Sequence, residues 1–518
     1  MHVQGQGYPP EKKEDPCSGL TSPLRRLNLL ANAGYDVDVT TAIVFALILA
    51  QDAGSVLRTS VGYNTQKASL PLSEEQRKEA DRFGAEAQKA GTAGNYAEAT
   101  RLFHHGLAVM QGATWDSTLE FAASLEAKAD HAIVKPGQAV TLQLAPQYSP
   151  DPAAKLSATV YLVSETNPAD AQPLATGWTV QAAKLGALPI TLPKSTAAGN
   201  YFLETRLAPA AGEADPKAKM AFTKRLPLRV ADLAGEAARL NERLAKAKQR
   251  HPLAEYTAEL YARADRGEAS PHRYDFAAEF ASAHRVLDAM ENGTAPLAGQ
   301  KGDLRMAYRS AVDETLQPYR LYVPAGYDGA KALPLVVALH GMGGDENSIF
   351  DAYRNGAFKR EAEKQGWLMV CPKGRESASM YRGKAETDVL DVLADVRRQY
   401  KVDASRVYLM GHSMGGFGTW SIAMNHPDLF AALGPVAGGG NPAGVGKVKH
   451  IPHFVVHGDN DKTVPVMASR VMVEAARKVG AQVVYVEVPG GSHTDIVVPQ
   501  IGPMFEFFAG QARAAAAQ

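Results

Sequence analysis

The chain has 518 residues, of which 45% are hydrophobic and 21% charged, and its 55 basic and 55 acidic side chains cancel to a formal charge of zero. That length exceeds one compact core and implies several domains, while the balanced charge gives no sign of nucleic acid or an anionic surface as the partner. Two cysteines, Cys17 and Cys371, supply neither a disulfide framework nor a cysteine metal site.

Residues 1–72 read as a polar tail interrupted by one apolar run over 39–51, "VTTAIVFALILAQ". The run is too short to span a bilayer and has the length of a secretory h-region. Arg25 and Arg26 precede it, but Asp36 and Asp38 intervene. Two readings stand: an export signal, which places the protein in the periplasm or outside the cell, or a short buried element of a cytoplasmic chain. Residues 73–128 then carry helical periodicity, with Ala80, Phe83, Ala87 and Ala90 on one face and "GNYAEATRLFHHGLAVM" as a second helix. The pair resembles a tetratricopeptide-type hairpin. One such hairpin cannot build a solenoid, because each repeat buries its apolar face on neighbours.

From 129 to 231 the period changes to two, through Val140, Leu142 and Leu144, then Ala158, Val160 and Leu162, and later Leu226, Leu228 and Val230. The pattern predicts a small β-sandwich, and "AAGNYFLETRLAP" resembles the late strands of immunoglobulin-like modules. Residues 232–301 predict a helical connector of two helices, one lined by Leu233, Ala237, Leu240 and Leu244, the other by Phe276, Phe280, Ala283, Leu287 and Met290, before the linker "NGTAPLAGQKGD". Residues 302–511 alternate strand with helix. "QPYRLYVP", "LPLVVALHG", "WLMVCPKG", "SRVYLMG", "IPHFVVHG" and "QVVYVEVPG" are β-branched runs, several continuous enough to be buried on both faces, and "ETDVLDVLADVRRQY" is helical between them. This predicts an α/β domain built on a mostly parallel sheet with helices on both faces.

The stretch "RVYLMGHSMGGFGTW" places Ser413 between Gly411 and Gly415. Gly-x-Ser-x-Gly alone arises too often by chance to decide anything. Its context is a strand that ends at Gly411 and a helix that begins after Gly415, the arrangement of a nucleophile elbow. A strained turn that thrusts a hydroxyl outward leaves no room for neighbouring side chains, and the helix N-terminus favours a developing oxyanion. A serine needs a histidine to take its proton and a carboxylate to fix that histidine's tautomer. His493, in "VPGGSHTD" after the last strand, follows the serine in the chain order of such enzymes; His340, His412 and His457 are less suited, each beside a glycine or the nucleophile itself. The loop "HGDNDKTVP" offers Asp459 and Asp461 as acids. The backbone N–H of Met414 and that of Met342, in the glycine-rich "LHGMGGDE", are the candidate oxyanion donors.

Taken together, "HGMGG", "GHSMGGFGTW", "HGDNDKTVP" and "GGSH" resemble the α/β-hydrolase superfamily, and above all the bacterial esterases related to polyhydroxybutyrate depolymerases, feruloyl esterases and the so-called predicted peptidases. An immunoglobulin-like domain ahead of the hydrolase resembles one esterase architecture; the helical hairpin before it departs from it. The resemblance selects Asp461 over Asp459. It implies a serine carboxylesterase acting on a small-molecule or carbohydrate-linked ester, with no metal or organic cofactor. A peptidase or acyltransferase would use the same triad, and a binding protein on a hydrolase scaffold is a rival of another class. Specificity belongs to loops such as "RESASMYRGKAETD", where Tyr381 and Arg382 read equally as pocket residues or as solvated side chains. Every catalytic group falls after residue 302, which makes the N-terminal half an accessory.

Overall fold

A computed structural model describes residues 53–210, 216–297, 299–376 and 378–513, and the apolar run 39–51 lies outside them. The described chain begins with helices α1 (Ala53–Ser69), α2 (Glu74–Thr92), α3 (Tyr96–Gln111) and α4 (Ser117–Ser124). Helix α1 falls in the stretch that reads as a tail. Its Tyr63 is fully buried, donates to the Ala80 carbonyl at 2.5 Å and packs with Phe83 and Phe103, so the predicted hairpin α2–α3 gains a third helix. Ser73 starts α2 with a reciprocal capping box to Gln76.

Eight strands follow: β1 (Leu125–Ala129), β2 (Ile133–Val134), β3 (Ala139–Pro146), β4 (Lys155–Ser164), β5 (Ala171–Gln181), β6 (Ala187–Thr191), β7 (Gly199–Pro209) and β8 (Thr223–Val230). They form one sheet of order β1-β3-β6 and another of order β2-β8-β7-β4-β5. Alternate residues of both sheets, among them Leu142, Leu144, Leu156, Val160, Leu203 and Leu228, meet in one apolar cluster that also takes Phe121 from α4.

The connector holds three helices, α5 (Ala234–Lys246), α6 (Pro252–Asp265) and α7 (Phe276–Glu291). The sequence pattern anticipates the first and third. Beyond them lie β9 (Gly302–Arg309), β10 (Leu316–Val323), β11 (Leu333–Leu339), β12 (Leu368–Pro372), β13 (Val402–His412), β14 (Ala432–Val436), β15 (His453–Gly458) and β16 (Val483–Val488), in the sheet order β16-β15-β14-β13-β11-β12-β10-β9. Strands β11 to β16 pair in parallel, and β10 runs antiparallel to both β12 and β9. The pleat sends Leu335, Val337 and Leu339 of β11 into one apolar cluster with Val389, Val396 and Trp420, and Val336 and Ala338 into another with Tyr408, Phe505 and Phe508. Helices α8 (Ser348–Asp351), α9 (Ala357–Gln365), α10 (Lys384–Gln399), α11 (Met414–Asn425), α12 (Met467–Lys478) and α13 (Val497–Ala509) complete the α/β-hydrolase fold. Among the described residues no helix is long and apolar enough to cross a membrane.

The connector is packed onto this sheet. Leu253 and Val286 belong to the same cluster as Met306, Tyr319 and Leu335, while Ala307 of β9 belongs to the cluster of α5, α6 and α7. Arg305 of β9 pairs with Glu279 of α7, and Arg309 with Glu255 of α6 at 2.7 Å. A chain that starts at Gly302 therefore exposes apolar surface and leaves Arg305 without its carboxylate. In thermal melts, fragment 302–513 is expected to unfold roughly 10 °C or more below fragment 232–513. Equal melting points would show that the connector contributes nothing to the hydrolase fold.

Candidate active site

The strands position the site by ending in it. At the end of β13 the chain turns through Ser413, whose backbone sits at φ 58°, ψ −118°, a conformation that L-residues rarely adopt, and enters α11 at Met414. What holds the turn is the absence of side chains around it. A β-carbon at Gly415 would lie 2.1 Å from the Leu339 carbonyl oxygen at the end of β11, and one at Gly411 would lie 2.4 Å from the Gly415 carbonyl carbon. On the other side, a β-carbon at Gly416 would reach 2.6 Å from the Val436 oxygen, the same carbonyl that accepts the Ser413 N–H at 2.9 Å. The Ser413 side chain does not cap its own helix and is partly exposed. The elbow thus rests directly on the backbones of β11 and β14.

Asp461 and His493 come from the loops after β15 and β16. His493 Nδ1–H donates to Asp461 Oδ2 at 2.7 Å, and Asp461 Oδ1 accepts the backbone N–H groups of Thr463 at 2.8 Å and Val464 at 2.9 Å. Burial alone would raise the Asp461 carboxyl. The hydrogen bonds from His457 and His493, the Val464 N–H and the nearby His493 charge outweigh it and hold the group well below the usual carboxylate range. Asp459, the other acid of this loop, is exposed and accepts the Gly490 N–H at 2.6 Å, away from the His493 ring.

No hydrogen bond among the described residues joins Ser413 to His493; the two meet through His412. That buried ring faces the His493 ring at 4.7 Å between centroids, donates from Nε2 to the His493 carbonyl at 2.7 Å, and has Tyr353 Oη 2.8 Å from its Nδ1. Burial is the main reason why its pKa falls to about 4, so His412 is neutral at physiological pH.

Of the two oxyanion candidates, Met414 is buried in the first turn of α11, while Met342 is 41% exposed at the tip of the loop after β11. This loop touches the elbow: a β-carbon at Gly341 would lie 3.4 Å from Ser413 Cβ. His340 ties it down, with its ring nitrogens 2.8 Å from the Gly341 carbonyl and 2.6 Å from that of Lys373. Its far end is held from the connector, where Arg273 reaches Asp345 at 2.7 Å, and from β9, where Arg305 reaches Asn347 at 2.7 Å.

Tyr381 is not a pocket residue. It is fully buried beneath the elbow, packed so closely on Gly374 and Gly418 that β-carbons there would come within 2.6 Å and 2.7 Å of its ring, and its hydroxyl donates to the His340 carbonyl at 3.3 Å. Arg382 is exposed. The sequence weighs His412 and His457 only as poorer candidates for the base and does not single out Tyr353. Their only signal was polarity inside glycine-rich or apolar runs. Among the described residues no cluster of three or more His, Cys, Asp or Glu side chains is arranged to hold a metal ion.

Comparison with known proteins points to the same region. Residues 379–501 match a family described as PET hydrolase-like. The chain is similar to a bifunctional acetylxylan esterase/xylanase of Neocallimastix patriciarum, at 32% identity over 27% of this chain and 21% of that protein. It is similar to feruloyl esterase B of Neurospora crassa, at 34% over 19% and 36% of the two chains, and to poly(3-hydroxyalkanoate) depolymerase C of Paucimonas lemoignei, at 30% over 23% and 30%. The chain thus spans at most about a third of the length of these relatives. A solved thermostable esterase aligns over 75% of this chain and 100% of its own, at 18% identity and a TM-score of 0.40.

Two outcomes follow from the geometry. Gly415→Ala forces the Leu339 carbonyl or the elbow to move and is expected to destabilise the fold by roughly 2–4 kcal/mol, measured by urea denaturation. An unchanged midpoint would show that the elbow has slack. Because folded His412 takes its proton near pH 4 and the unfolded chain near 6.5, stability is complete above about 6.5 and is lost as pH falls towards 4, by at most roughly 3 kcal/mol from this group. Denaturation midpoints at pH 7 and pH 4.5 check this, with His412→Gln losing less on acidification than the parent chain.

Proposed function

We propose that the chain is a serine carboxylesterase in which Ser413 is the nucleophile, His493 the general base and then acid, and Asp461 the carboxylate that orients His493. The observation that carries this reading is the 2.7 Å bond from His493 Nδ1 to the buried Asp461, presented beside an elbow that holds a serine at positive φ. With its Nδ1 proton committed to Asp461, His493 keeps the Nε2 lone pair free. That nitrogen takes the Ser413 proton as the hydroxyl attacks the ester carbonyl, then returns a proton to the departing alcohol; water repeats the sequence to release the acid. The carbonyl oxygen, now an alkoxide, is held by the N–H of Met414 at the start of α11 and by that of Met342. The relatives named above act, by their names, on acetylated xylan, feruloyl esters and a polyester, and this supports an ester as the substrate class.

Simple activated esters are expected to be hydrolysed, and a serine-directed phosphonate to label Ser413. Ser413→Ala should abolish both, and Asp461→Asn should lower kcat by roughly three to four orders of magnitude while Asp459→Asn costs far less. Retained activity in Ser413→Ala would overturn the assignment, and a reversed ranking of the two aspartates in folded variants would move the acid to Asp459. Acetylated, aryl and sugar esters assayed beside peptide substrates define the substrate class.

A further inference from the structure

The triad reading leaves unexplained a second histidine on the same carboxylate. His457, the penultimate residue of β15, is fully buried, and its Nε2 lies 3.3 Å from Asp461 Oδ2, the very oxygen that receives His493. The same nitrogen is 2.9 Å from the Val464 carbonyl, which can only accept. Nε2 must therefore carry a proton, shared between Val464 and Asp461. The other nitrogen, Nδ1, is 2.7 Å from Ser469 Oγ, and that hydroxyl in turn has the Gly438 carbonyl at 2.8 Å. When Ser469 donates to Gly438, its oxygen accepts from Nδ1–H and His457 is an imidazolium paired with Asp461; when Ser469 donates to Nδ1, His457 is the neutral Nε2–H tautomer. In both states the proton that faces Asp461 stays in place.

We propose that His457 is the positioning residue of the triad acid: its Nε2–H grips the turn Asp461–Val464 from below and shares the Asp461 carboxylate with His493. Val464 is held at both ends, its N–H by Asp461 Oδ1 and its carbonyl by His457, so the acid cannot rotate away from His493 without breaking the histidine's bond. The chain continues through Ser469 to Gly438, whose backbone abuts Gly416 of α11, so that acid and elbow are tied through one buried line of polar groups. Sharing the carboxylate also moderates its pull on the His493 proton. Around this pair the facing titratable groups are Asp461, His412 against His493, Asp495 within the His493 loop, and Glu487, opposite His457 on β16 and bound to Arg470 and Tyr485.

The inference rests on the triad reading, and the test separates the two. On the intact chain, His457→Phe is expected to lower kcat on an activated acetate ester by about 30- to 300-fold with KM within about threefold. It also moves the acid limb of kcat/KM upward by roughly 0.5–1 pH unit, because Asp461 then acts on His493 alone. His457→Gln, which keeps an N–H donor near the position of Nε2, should recover most of kcat. A folded His457→Phe with parental kcat and an unmoved acid limb overturns the proposal. Should that variant not fold, nitrogen-15 histidine spectra of the unsubstituted protein decide: a proton on His457 Nε2 throughout pH 5–9, with a resonance that shifts in Asp461→Asn, supports it, and an unprotonated Nε2 overturns it. Failure of the triad reading itself shows instead as activity surviving Ser413→Ala, whatever His457 does.

Discussion

The arrangement of this molecule depends on backbone touching backbone at glycine. The Leu339 carbonyl at the tip of β11 occupies the place that a Gly415 side chain would take, and this contact lets α11 begin directly over the centre of the sheet. A residue with a β-carbon cannot keep that contact, so the helix start or the strand end would have to shift and Ser413 with it. Strain at the Ser413 backbone is stable only because those neighbours leave it nowhere else to go. Burial of both faces of the sheet supplies the rigidity, since β11 and β13 lie at its centre and their side chains fill two apolar clusters.

Around that fixed point the connector is part of the hydrolase rather than a tether. The loop that carries Met342 is gripped at its start by His340 and at its end by Arg273 and Arg305; Arg273, and the Glu279 that pairs with Arg305, precede the first strand of the sheet. Arg305 stands between them, bound to Glu279 and Asn347 and stacked over the Tyr274 ring at 5.1 Å. An oxyanion donor on a loop is useful only if the loop keeps its place while charge develops. The proposed catalytic groups all lie after residue 302, yet the loop beside them is held in part by a residue before it. The linker thus joins two parts that share a packed boundary.

The sequence made the strands legible where they are buried on both faces, as in "LPLVVAL" and "RVYLMG", because continuous β-branched runs have few other uses. It hid β14, "ALGPV", whose Gly434 is required by a close approach of Met504 and Phe508 from α13, some seventy residues on. It hid β9 as well, since Asp303 and Arg305 look like linker charges until Arg320 and Glu279 are placed beside them. The turn around Ser413 was readable because its glycines are local to it, whereas Asp461 and His493 meet only when two loops from different strands fold together. The tasks of His412 and His457 were not readable, since one holds a carbonyl eighty-one residues away and the other depends on how a loop folds back. Tyr381, an aromatic in a polar loop, reads as either a pocket wall or a solvated side chain; it is neither, because glycines on both sides let its ring wedge in, fully buried.

The same glycine logic explains how two loops from different strands meet within hydrogen-bond distance. A β-carbon at Gly458 would lie 2.1 Å from the Gly491 oxygen, so the loop of the acid and the loop of the histidine are pressed together main chain to main chain. Asn460 N–H donates to Gly491 at 3.1 Å, Asp459 N–H to Val488 at 3.2 Å, and the Asp459 carboxylate accepts from Gly490 at 2.6 Å. The exposed aspartate thus has a definite task, which is to zip the two loops on the solvent side, while Asp461 bonds across them on the buried side. Fixing both edges leaves the Asp461–His493 pair little freedom to drift, so the orientation of the His493 ring is set by the fold itself. One loop, "HGDNDKTVP", thus divides its two carboxylates by burial and by partner, the exposed one bonded to a backbone N–H of the neighbouring loop and the buried one to His493.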